Sequence, residues 1–153
     1  MSTLAAIRRW LLAVLVLGLV GSGIELFLIE HYEDSLQLVP LASIAMALAV
    51  VIWHALKGGA LSIRALQVTM VLFLMAGTTG MWFHYRGGAE FQREIDPAQS
   101  RWLVFQKVMR AKAPPVLASG VMVQLGLLGL VYAYRHPALD PPEARFSRDG
   151  VME

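Results

Sequence analysis

Four apolar segments, each about twenty residues long, dominate the 153-residue sequence. They run from about residue 10 to 29, 39 to 56, 63 to 83 and 115 to 134. A helix of about twenty apolar residues crosses the ~30 Å hydrocarbon core of a bilayer, and backbone groups in lipid need partners within the protein. We therefore predict an all-α integral membrane protein with four transmembrane helices.

The composition supports a membrane protein with a single domain. The chain is 57% hydrophobic and 16% charged, whereas a typical soluble domain is about 25% charged. We predict that residues 1–136 form the transmembrane domain and that 137–153 form a polar, proline-containing tail. The absence of cysteine excludes disulfides, and a net charge of +2 is too small to favour a nucleic-acid partner.

The lengths of the connections predict how the four helices are arranged. The first two connections are short, and Gly58-Gly59 interrupts the second, so neighbouring helices should be antiparallel in an up-down bundle. The third connection is long enough to contain a helix of its own, over about residues 97–112. Asp96 is placed as its N-cap and Pro97 as its first residue.

This surface helix is predicted to be amphipathic. Trp102, Phe105 and Met109 share one face at i, i+3 and i+7. Its cationic residues lie mostly on other faces and are Arg101, Lys107 and Arg110. This pattern is typical of a helix on the outer membrane surface, where it contacts either lipid head groups or a partner protein.

The distribution of Lys and Arg predicts the orientation in a cell inner (cytoplasmic) membrane. Short segments flanking one side of the predicted spans carry Arg8, Arg9, Lys57, Arg64, Arg135, Arg145 and Arg148. The first connection on the other side carries only acidic charges, and most cations of the long loop fall in the surface helix. Because positive flanks stay inside, we expect both termini to be cytoplasmic.

A carboxyl group within the first apolar segment is the sharpest chemical feature. Glu25 lies about five residues inside the outer end of this span, roughly 7 Å deep. The other spans place hydroxyl groups at a similar depth, and a histidine stands just above them; these residues are Ser43, Thr78, Thr79, Ser119 and His84. The layer is either a ligand site for a cation, proton or polar head group, or a hydrogen-bonded clamp around a neutral Glu25.

Histidines near the span ends offer a second kind of chemistry. His31 and His84 fall at the outer boundary, and His54 and His136 fall at the inner one. Histidine pairs at one depth can ligate a haem or chlorophyll-type tetrapyrrole, or a metal ion. Histidine is also an ordinary residue of the membrane interface, and nothing in the sequence requires a cofactor.

The sequence contains no phosphate-binding loop, H-E-x-x-H or G-x-S-x-G motif, so we favour a non-catalytic role. The leading expectation is an accessory or stabilising subunit of a larger membrane complex. Its partners would be lipids and other membrane subunits, or a second copy of the chain. The alternative is a small membrane protein that binds a ligand at the outer-leaflet site around Glu25 and His84.

Overall fold

The computed structural model describes residues 2–111, 116 and 119–140, and this part of the chain is all-helical. Its elements are α1 (Thr3–Leu28), α2 (Leu38–Lys57), α3 (Ala60–Ile95), α4 (Arg101–Met109), α5 (Gly120–Ala133) and a 3-10 helix (Pro137–Leu139). Three of these, α1, α2 and α3, are long and apolar enough to cross a membrane. The described residues therefore confirm the predicted all-α class, and three of the four predicted spans form helices with the length and apolar composition that a membrane crossing requires.

Helix α5 is shorter than the predicted fourth span. Its 14 residues rise about 21 Å, which is less than the ~30 Å hydrocarbon core. Part of the predicted span, at residues 115, 117 and 118, lies outside the described residues, as does the tail from 141 onward.

Small residues allow α3 and α5 to pack closely. A Cβ atom at Gly77 would lie 2.8 Å from the Val123 side chain, and one at Gly126 would lie 2.9 Å from the Met70 carbonyl oxygen. These pairings run in opposite chain directions, so α5 is antiparallel to α3. The buried apolar core includes Phe73 of α3 and Leu125 of α5, together with Leu15 and Leu19 of α1.

The turn between α2 and α3 forms where the sequence predicts it. Gly58 and Gly59 have φ angles of 62° and 91°, in the left-handed region that glycine adopts without a steric penalty. The chain reverses there, and the first turn of α3 returns to the end of α2.

Helix α3 continues well beyond the predicted span and corrects the prediction of a loop after Phe83. Its 36 residues rise about 54 Å and end only at Ile95. The helix continues through Gly88, where the absence of a side chain makes room for α4. A Cβ atom at Gly88 would lie 2.9 Å from the Val108 side chain. An ion pair of 2.9 Å between Arg86 and Glu90 links successive turns of this extension.

Helix α4 begins later than predicted. Its N-cap is Ser100, whose Oγ accepts a hydrogen bond from the Leu103 N–H at 3.2 Å. Asp96 instead caps the end of α3, and its carboxylate accepts a hydrogen bond of 3.0 Å from the Ala98 N–H. The predicted start at Asp96-Pro97 is therefore wrong, and the described helix ends at Met109.

Helix α4 packs on α3 through residues that the sequence analysis did not single out. Val104 and Val108 are buried against Ala89 of α3 and against Val116. Helix α4 therefore lies alongside the extension of α3, and the two form a helical hairpin that continues beyond the apolar segment of α3.

Candidate functional site

A cavity of about 170 Å³ lies where α1 ends and α2 begins, against α3 and the start of α5. We call this part of the bundle the Glu25 end. The polar side chains that line the cavity are Ser22, Glu25, His31, His84 and Ser119. The remaining walls are apolar and come from Leu26, Ile29, Pro40, Ile44, Val121 and Met122. Among the described residues, the cavity is thus a small apolar cleft lined by five polar side chains, one of which carries a carboxylate.

Local backbone geometry brings the two histidines together. After α1 the chain turns through Glu30, whose φ of 55° is unusual for a residue other than glycine. The His31 N–H then donates a hydrogen bond of 2.9 Å to the Leu26 carbonyl, which closes the end of the helix. As a result the His31 ring lies 6.4 Å from that of His84, measured between centroids.

The Glu25 carboxylate has no hydrogen-bond or ion-pair partner among residues 2–111, 116 and 119–140. Arg86, which lies two residues after His84 in the sequence, is paired with Glu90 at 2.9 Å and not with Glu25. Within the described part of the chain, Glu25 is therefore not part of a hydrogen-bonded clamp between helices. A carboxylate at an apolar cleft is free to accept hydrogen bonds from a cationic or donor group of a ligand.

The structure separates the other predicted residues of this layer from the cavity. The Ser43 hydroxyl donates to the Val39 carbonyl at 2.7 Å, and the Thr78 hydroxyl donates to the Leu74 carbonyl at the same distance. Thr79 is exposed and is not among the residues that line the cavity. Counting residues along each helix predicts how deep a side chain lies in the membrane. The direction in which the side chain points around its helix decides whether it lines the cavity.

His54 lies at the opposite end of the bundle, which we call the His54 end. Its Nδ1 is 2.8 Å from the Ser62 hydroxyl and its Nε2 is 2.8 Å from the Tyr132 hydroxyl. Both ring nitrogens are therefore engaged, and the residue is buried. A haem or metal ion could use His54 only by displacing one of these hydrogen bonds.

The C-terminal turn completes the His54 end. The His136 ring lies 5.4 Å from that of His54, and its Nδ1 accepts a hydrogen bond from the Ala138 N–H. The Arg8 guanidinium donates to the carbonyls of Tyr134 and Arg135 at 3.4 and 2.8 Å. Burial, with smaller contributions from His54 and Arg8, lowers the pKa of His136 to about 4. The sequence places His54 and His136 at the same boundary, but no pattern in it indicates their contacts with each other or with Tyr132.

The predicted surface residues of α4 are arranged in two ways. Trp102 stacks on Phe105 with 5.5 Å between ring centroids, and Tyr85 of α3 lies 6.1 Å from Phe105. Met109 is half-buried and packs against the valines of α4. The cations Arg101, Lys107 and Arg110 are exposed. The hairpin therefore presents an exposed aromatic surface together with positive charge.

The size of the cavity constrains its ligand. Pockets for drug-sized molecules begin at about 300 Å³, whereas a cavity of about 150 Å³ accommodates a benzene-sized group. A volume of about 170 Å³ suits a small head group or a short part of an alkyl chain and is too small for a tetrapyrrole ring. Among the described residues, no group of three or more His, Asp or Glu is placed to hold a metal ion.

Comparison with known proteins gives no match: no protein-family model, no curated protein and no solved structure resembles the chain closely enough to identify it.

Proposed function

We propose that the protein is embedded in a cell inner membrane with four spans in an up-down arrangement and both termini in the cytoplasm. The three long apolar helices support this placement, and the antiparallel packing of α5 on α3 supports a fourth crossing. The charges agree with the orientation, because Arg8, Lys57 and Arg64 flank the His54 end.

We propose further that the protein binds a small amphiphilic molecule in the cavity at the Glu25 end. The observation that carries this proposal is the Glu25 carboxylate, which lines an apolar cleft and has no hydrogen-bond or ion-pair partner among the described residues. The Glu25 residue is exposed on the surface of the chain, and at the membrane depth that we propose an exposed carboxylate needs a partner. The polar head of the ligand would contact this carboxylate together with His31 and His84. Its apolar part would contact walls such as Ile44 and Met122 and continue into the surrounding lipid.

A variant that fills the cavity tests this function. Ser22 lines the cavity, whereas a side chain at the adjacent Gly21 would meet nothing within 4 Å. We expect the wild-type protein, extracted from its own membrane in mild detergent, to carry a bound small molecule in native mass spectrometry. Ser22→Leu should lose this mass and the matched control Gly21→Leu should retain it. Absence of a bound mass from the wild type, or its retention by Ser22→Leu, would contradict the proposal.

A second candidate function is that of a non-catalytic accessory subunit of a larger membrane complex. The observation in its favour is the aromatic surface of the α3–α4 hairpin, where the Trp102 side chain is 65% exposed beyond the apolar part of α3. A stoichiometric partner that co-purifies with the wild type and is lost from Trp102→Ser would support it. Purification of the chain alone from native membranes would argue against it.

A further inference from the structure

We propose that the molecule bound at the Glu25 end carries a primary ammonium head group on an alkyl chain. This inference rests on the proposed function and specifies the chemical class of its ligand. It depends on the charge at the cavity, on the kind of groups that line it and on its size.

The charge of the cavity favours a cation. Glu25 is the sole Asp, Glu, Lys or Arg among the described residues that line it. The connection that follows α1 adds three exposed acidic residues at the same end, namely Glu30, Glu33 and Asp34. Arg86, which is close in sequence to His84, is paired with Glu90. The local field therefore attracts a positive head group and disfavours an anionic one.

The lining groups favour a primary ammonium over a quaternary one. Quaternary ammonium groups are recognised by the faces of Trp, Tyr and Phe, and the described lining of this cavity contains none of these residues. It offers acceptors instead: the Glu25 carboxylate, the hydroxyls of Ser22 and Ser119, and the imidazole nitrogens of His31 and His84. A primary ammonium has three N–H donors, so it can bind the carboxylate and two further acceptors.

The volume and the apolar walls favour an amphiphile over a bare metal cation. No set of three or more His, Asp or Glu among the described residues is arranged for a metal ion. A volume of about 170 Å³ holds an ammonium and the first few methylene groups. Such a head group has two sources in a membrane: a bilayer lipid with an ethanolamine head, or a free long-chain amine.

A set of probes with one chain length isolates the head group. The full chain, with labelled histidines, is placed in phosphatidylcholine nanodiscs and titrated with dodecylamine, dodecyltrimethylammonium, dodecanol or dodecyl sulfate. Binding is followed at the ring signals of His31 and His84 by NMR. We expect dodecylamine to shift both signals and the quaternary amine to bind at least about tenfold more weakly than dodecylamine. Dodecyl sulfate should leave both signals unchanged.

Matched variants separate the carboxylate from the general charge of the surface. Glu25→Gln should weaken dodecylamine binding by about tenfold or more, because it removes a charge-assisted hydrogen bond. Glu94→Gln removes the same charge from an exposed residue near the end of α3, which does not line the cavity, and should bind like the wild type. An unchanged thermal unfolding midpoint for both variants shows that each is folded.

A second bilayer composition identifies the source. If phosphatidylethanolamine nanodiscs shift the His31 and His84 signals without added amine, a bilayer lipid supplies the ammonium; if only dodecylamine does so, the source is a free amine. Equal binding of dodecanol and dodecylamine, with no effect of Glu25→Gln, would overturn the ammonium inference and leave the proposed function standing. No shift with any probe or lipid would overturn both.

Discussion

Histidine and serine occur at both ends of the helical bundle, but in different surroundings. At the His54 end both imidazole nitrogens are hydrogen-bonded, to Ser62 and to Tyr132, and the ring is buried. At the Glu25 end the histidines line a cavity beside a carboxylate without a partner in the described chain. A saturated polar cluster stabilises the fold, whereas an unsaturated one beside a cavity is available to a ligand.

Among variants at the two ends of the bundle, His54→Ala should lower the free energy of unfolding the most. This variant deletes a buried ring, leaves a void and removes the partner of the Tyr132 hydroxyl. We expect the free energy of unfolding to fall by about 3 kcal/mol, measured by equilibrium denaturation in mixed micelles.

Two further variants serve as controls: one removes an imidazole at the Glu25 end, and the other removes only the hydroxyl group that bonds to His54. His31→Ala should lose less than about 1 kcal/mol, because its ring makes no hydrogen bond within the described residues. Tyr132→Phe, which removes only the hydroxyl, should lose about 1 kcal/mol. A greater loss for His31→Ala than for His54→Ala would reverse the roles assigned to the two ends.

A smaller effect is expected from pH at the His54 end. The pKa of His136 is about 4, below its ordinary value of 6.5, because burial disfavours the charged ring and His54 and Arg8 add to this effect. The unfolded chain therefore takes up a proton before the folded chain does. The stability associated with His136 is complete above pH 6.5 and declines as the pH falls towards about 4.

Denaturation at about pH 7.5 and about pH 5, compared between wild type and His136→Asn, measures this contribution. Asparagine can still accept the hydrogen bond from the Ala138 N–H but does not titrate. We expect the variant to lose less stability than the wild type between the two pH values. An identical loss in both proteins would show that His136 titrates as it does in the unfolded chain.

The smallest effect on stability is expected from Glu25→Gln. The carboxylate makes no ion pair or hydrogen bond within the described chain, so its neutralisation breaks no interaction there. We expect the free energy of unfolding to stay within about 0.5 kcal/mol of the wild type. A loss above about 2 kcal/mol would identify Glu25 as a structural clamp.

The helical class and part of the pocket follow from sequence because they depend on hydropathy and on depth. Glu25, His31, His84 and Ser119 were all placed near the outer boundary, and all four line the cavity. Depth did not reveal that the Ser43 and Thr78 hydroxyls bond to carbonyls one turn earlier in their own helices. This choice depends on the orientation of each side chain around its helix, which a count of residues does not supply.

The extension of α3 and the His54 cluster could not be predicted because each depends on tertiary packing. The polar sequence around Gly87-Gly88 is typical of a loop, and it is helical because α4 packs against it through Val108. Tyr132 is 78 residues from His54 in sequence, and no local pattern connects the two. Long-range pairs of this kind become visible only when the helices are packed.

Dodecylamine titration of the histidine-labelled wild-type protein in phosphatidylcholine nanodiscs tests both ends of the bundle in one measurement. If the Glu25 end is the binding site and the His54 end is structural, the ring signals of His31 and His84 will shift while those of His54 and His136 stay in place. If the His54 and His136 signals move instead, or if all four move together, the assignment of the two ends is wrong.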